Sequence, residues 1–109
     1  MSRYVLALEA QQDLREIRDY LTAEGGARLA RHVVGAFIVA FRRLAKTPGM
    51  GHRRDDLAPD EDILFWPVLS YLVVYRRRSR GPLAILAVVH GRRDAREVLQ
   101  HRAALLPRP

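Results

Sequence analysis

The sequence contains no cysteine. Disulfides and thiolate metal sites are therefore excluded, and a reducing compartment suits the chain. Lysine is nearly missing too: Lys46 is the only one among 19 basic residues. A GC-rich genome replaces Lys with Arg in the same way, so this bias alone assigns no function. No apolar run is long enough for a bilayer. The longest near-continuous one, Val33 to Phe41, is interrupted by Gly35 and falls well short of the ~20 residues a span needs. The opening Met1-Ser2-Arg3-Tyr4-Val5-Leu6 lacks the charged start, apolar centre and cleavage site of a secretion signal. The expectation is a cytoplasmic protein without membrane contact. His32, His52 and His101 are scattered without ligand spacing, so neither a metal nor another cofactor is expected.

What is present suits one domain over residues 1–109. Apolar residues make up 49% of the chain, enough to build a core without staples. The formal net charge is +7, from 19 basic and 12 acidic residues. Such a surplus favours an anionic partner: nucleic acid, an acidic protein or a phosphate-rich surface.

Periodicity sets out the elements. Residues 3–8 alternate as a short strand, with Tyr4, Leu6 and Leu8 on one face. Residues 9–24 place Ala10, Leu14, Ile17 and Leu21 on one helical stripe, flanked by Glu9, Asp13 and Glu16. Gly25-Gly26 ends that helix. A second helix over 27–46 carries Leu29, Val33, Ala36, Phe37, Ala40, Phe41 and Leu44 on its core face. Helices joined by two glycines form an antiparallel hairpin. Thr47-Pro48-Gly49 stops the second helix, and 47–62 is a long loop without periodicity. Three strands follow: 62–66 closed by Pro67, 69–76, and 83–90. The last reads almost wholly apolar, as a central strand should. Residues 94–105 form a final short helix, with Asp94 able to cap it, and the tail 106–109 frays. The order is β-α-α-β-β-β-α. This is an α+β fold, with an N-terminal helical hairpin packed on a mainly antiparallel four-stranded sheet.

Four segments in this order resemble the toxins of the RelE/ParE superfamily. The first helix carries AQQDLREIRDYL, similar to an Ala-x-x-Asp-Leu-x-x-Ile-x-x-Tyr signature. The loop reads PGMGHRRDDL, like a Pro-x-x-Gly-x-x-Arg-x-Asp-Leu segment of the ParE branch. SYLVVYR resembles the long middle strand, and VVHGRRDAREVL the last strand and its turn. Each motif is weak alone, but together they cover nearly the whole chain. The resemblance implies a type II toxin neutralised by a cognate antitoxin, within a toxin–antitoxin hetero-oligomer. Two target classes exist in the superfamily: RelE-like members cut mRNA on the ribosome, and ParE-like members act on DNA gyrase.

RNA cleavage through the 2′-hydroxyl needs a base, an acid and cations over the phosphate. The strand position that would carry the sheet arginine of RelE-like enzymes is Leu72, and the position that would carry their tyrosine is Leu99. A leucine can neither move a proton nor hold a phosphorane. This favours the ParE branch, a gyrase inhibitor without chemistry of its own. If the chain is instead a ribonuclease, Arg53, His90 and Arg93 are its candidate groups. A non-toxic member that only binds its antitoxin and represses their promoter is the third reading. The antitoxin is expected to supply an amphipathic helix, and Val34, Ile38, Trp66 and Leu72 are the candidates for its groove. Candidates for the target surface are Arg76, Arg77, Arg78 and Arg80 of the basic hairpin, with Arg92 and Arg93. A solvated turn is the competing account of the first group, and a cap or ion pair of the second. His90 equally suits a plain hydrogen-bonding role. Tyr71 and Tyr75 read as core residues, and the acidic stretch Asp55 to Asp62 as a solvated loop.

Overall fold

A computed structural model describes residues 3–58 and 62–102, with the side chains of 92–94 and 102 left aside. The elements are β1 (Tyr4–Leu6), α1 (Leu8–Lys46), a 3-10 turn (Pro48–Met50), β2 (Ile63–Val68), β3 (Tyr71–Arg76), β4 (Leu83–His90) and α2 (Gly91–Arg102). α1 is not one rod. Gly26 breaks it at φ 90° and ψ 172°, a conformation that side chains with a Cβ avoid. The expected hairpin of two helices is therefore present, with its corner on the second glycine.

The sheet order is β1-β4-β3-β2. β1 runs parallel to β4, and the other two pairs are antiparallel. Both faces are covered. On one, Ala10, Val33, Phe37, Phe41 and Leu44 of α1 meet Val73, Tyr75, Ile85 and Val88 of the sheet. On the other, Ala95 and Leu99 of α2 meet Phe65, Val74, Leu86 and Val89. β4 is buried from Leu83 to Val89, as its apolar run predicts.

Boundaries differ in instructive ways. β1 ends at Leu6 because α1 begins at Leu8, and the Gln11 side chain donates to the Leu6 carbonyl at 3.1 Å. β2 continues through Pro67, which is tolerated because β2 is an edge strand. Its outer edge is closed at Phe65 by reciprocal backbone bonds to His52, 2.8 and 2.9 Å long. β3 starts at Tyr71 because Leu69 and Ser70 form a two-residue turn, with Leu69 at φ 55°. α2 begins at Gly91 rather than 94. The expected end of that helix at 105 and the tail 106–109 lie outside the described residues. Leu29, expected in the core, is 39% exposed, and Ala30 is buried in its place.

Candidate functional site

The helix signature resolves into separate structural tasks. Ala10 is fully buried, which lets α1 approach the sheet closely, and Leu14 and Ile17 pack on the core. Asp13 has a subtler role. In β4, Val74 faces Ala87 but Tyr75 faces Ile85, so Leu86 is an extra residue. This bulge turns both Leu86 and Ala87 toward α2. Past it, β1 no longer accompanies β4. The Val88 N–H donates instead to the Asp13 carboxylate at 2.9 Å. A helix side chain thus continues the pairing that the three-residue strand leaves off.

The loop signature is also a set of fastenings. Tyr75 is fully buried. Its hydroxyl donates to the Pro48 carbonyl at 2.7 Å and accepts the Gly51 N–H at 2.9 Å. Burial pushes the Tyr75 phenol above its ordinary pKa, and the Gly51 bond opposes this. A Cβ on Gly51 would lie 2.8 Å from a Tyr75 ring carbon, so only glycine lets the loop pass the ring. Arg54 grips Asp56 with two bonds, of 3.1 and 2.9 Å. That bond raises the Arg54 pKa against the lowering effect of desolvation. Arg96 of α2 reaches the same carboxylate at 4.0 Å, and Leu57 packs on the cluster under α2.

The two positions that distinguish the superfamily branches come together. Leu99 is buried on the inner face of α2, and Leu72 packs against the same apolar cluster. The ribonuclease candidates are not gathered in this way. His90 is exposed at the end of β4, its ring meeting the Tyr71 edge at 5.1 Å. Arg53 lies on the loop beside His52, ion-paired with Asp55. Because His52 pairs outside β2, its backbone is three strand spacings from β4, about 14 Å. The side chain of Arg93 lies outside the described residues.

The four residues expected to form one antitoxin groove are divided. Ile38 and Trp66 pack on the core beneath α1, whereas Leu72 belongs to the opposite face of the sheet. The alternation of β3 enforces this separation. Trp66 is further occupied by stacking on His52, ring centres 5.8 Å apart. Only Val34 lines an open apolar groove. That groove of about 420 Å³ lies at the hairpin corner, between Ala27, Ala30, Val34 and Gly35, with Arg18 and Arg31 beside it.

Among the target candidates, Arg77, Arg78 and Arg80 are exposed. Arg76 does not join them, contrary to expectation. At 3% exposure it offers no surface to a partner, because it sits in the middle of three paired strands, between Ile63 and Ala84, on the covered face it shares with Val74. The side chains of Arg92, Arg93 and Asp94 lie outside the described residues, and so do Asp60 and Glu61 of the acidic stretch. Sequence reasoning missed a second cavity, between the first arm of α1 and the ends of β3 and β4. Asp13, Glu16, Ile17 and Tyr20 recur at helical spacing on its wall, and that spacing was the available signal. Among the described residues, no cluster of three or more acids and histidines is placed to hold a metal. No helix there is long and apolar enough to cross a membrane.

Residues 4–95 match the family described as "ParE toxin of type II toxin-antitoxin system, parDE". The chain belongs to the ParE toxin family. A solved chain from the chromosomal ParDE TA system of P. aeruginosa has the same fold, with a TM-score of 0.69 at 16% identity. The similarity covers 84% of this chain and 98% of that one. No curated protein sequence matches. In this ParE-family chain the helix and loop signatures serve the scaffold.

Proposed function

We propose that this ParE-family chain is a cytoplasmic toxin that inhibits DNA gyrase by binding and is neutralised by a cognate antitoxin. The observation that carries the reading is the pairing of Leu72 and Leu99 in one apolar cluster. These are the places where the resemblance puts the arginine and tyrosine of the ribonuclease branch. A leucine at either position supplies neither a proton carrier nor a cation for a phosphorane. The exposed Arg77, Arg78 and Arg80 supply a cationic hairpin for the gyrase–DNA surface.

The antitoxin's helix enters the corner groove, with an apolar residue on Val34 and carboxylates toward Arg18 and Arg31. The test uses purified chain in a gyrase supercoiling and DNA-cleavage assay. Trapped cleavage complexes that vanish on adding antitoxin are expected, and Val34→Glu is expected to weaken that rescue. Cutting of mRNA on ribosomes that His90→Ala abolishes would overturn the reading.

A further inference from the structure

The second cavity has a chemistry opposite to that of the rest of the chain. It encloses about 320 Å³ between two walls. Asp13, Glu16, Ile17 and Tyr20 of α1 form one, and Tyr71 and His90 the other. The chain carries +7, yet the described residues lining this cleft include two carboxylates and no Lys or Arg. Two acids one helical turn apart make an ordinary solvated face. Here, however, they stand over a hollow with aromatic walls.

The rings are held in place. Tyr71 packs edge-on against Phe37 at 5.4 Å and against His90 at 5.1 Å. It closes a row of aromatic contacts that reaches back through Phe41 to Tyr4. Burial and the nearby Tyr20 phenol both raise the Tyr71 pKa, so Tyr71 is a neutral ring at physiological pH. Tyr20 is 61% exposed at the rim, four residues beyond Glu16 on the same helical face. Asp13 accepts the Val88 N–H inside the cleft, whereas Glu16 is exposed and accepts from the neighbouring Gln12 amide at 3.2 Å, which makes Glu16 the accessible counter-charge at the mouth.

We propose that this cleft is a receptor for a guanidinium group, an arginine side chain presented by a protein partner. A planar cation stacks on aromatic faces and pairs with a carboxylate at its edge. Glu16 supplies the carboxylate, Tyr20 and Tyr71 the faces, and Ile17 the apolar floor for the side chain's methylenes. The site is independent of the proposed gyrase and antitoxin contacts, which use other surfaces.

The experiment needs neither of those partners. N-acetyl-arginine amide is titrated into the full chain, and the Tyr20 and His90 ring resonances are followed by NMR. Saturable shifts are expected, absent with the uncharged citrulline analogue. Glu16→Gln is expected to weaken binding about tenfold, the loss of one charge-assisted contact. Tyr20→Ala weakens it as well, whereas Glu24→Gln, on an exposed residue outside the cleft, leaves it unchanged. Equal shifts with citrulline, no saturation, or full affinity in both cleft variants would overturn the proposal without touching the gyrase reading.

Discussion

Tyr75 holds a buried ring, a loop carbonyl and a loop N–H together through one hydroxyl. Tyr75→Phe keeps the packing and leaves both backbone groups without that partner, so a loss of about 2 kcal/mol is expected in chemical denaturation. The pH dependence follows from the raised phenol pKa. The folded chain holds this proton more tightly than the unfolded chain. The contribution is therefore complete below the ordinary tyrosine pKa of about 10 and is lost as pH rises through the higher folded value. Stability should fall in that alkaline window, with a shallower fall in Tyr75→Phe. Leu69 behaves oppositely. It sits at φ 55° with 62% of its surface exposed, so the backbone cost brings little burial in return. Leu69→Gly is expected to raise stability by about 1 kcal/mol, read as a higher Tm. A lower Tm would mean that the leucine makes contacts worth more than the strain. Pattern reading recognised Tyr75 as core but missed its hydroxyl. The partners lie 24 and 27 residues away, and periodicity carries no information on such pairings.

At the level of elements, the hairpin, the central strand and the two covered faces are legible because apolar spacing reports burial directly. The Gly25-Gly26 corner was legible for the same local reason. The bulge at Leu86 was not, since a continuous apolar run looks alike in either register. The groove candidates are divided for a related reason: Leu72 and Val34 are both apolar, but topology puts them on opposite sides of a sheet. Asp13 is where the helix and the bulged strand depend on each other. Asp13→Ala removes the acceptor of the Val88 N–H and should cost about 1–2 kcal/mol. Amide exchange at Val88 should accelerate well beyond that at Val73, its antiparallel neighbour. Asp13→Asn retains an acceptor oxygen and should restore most of the protection. Uniform acceleration across β4 in Asp13→Ala alone would instead point to general loosening of α1.

Over the whole molecule, the charges divide by surface. The hairpin Arg77, Arg78 and Arg80 and the corner Arg31, beside an Arg18 paired with Asp19 at 3.2 Å, present positive charge, while the aromatic cleft presents carboxylates. Contacts made by the first two surfaces should weaken as salt rises. The superfamily and its layout were readable from four motifs, but the helix and loop motifs among them turn out to be fastenings of the scaffold. The target therefore rests on the two leucines packed between α2 and the sheet, Leu99 and Leu72, and it needs a direct measurement. The most direct is to express the chain alone in cells and pulse-label DNA and protein synthesis in parallel. The account predicts that DNA synthesis fails first, with cleaved DNA trapped on gyrase. Translation stopping first, with mRNA cut within codons, would contradict it.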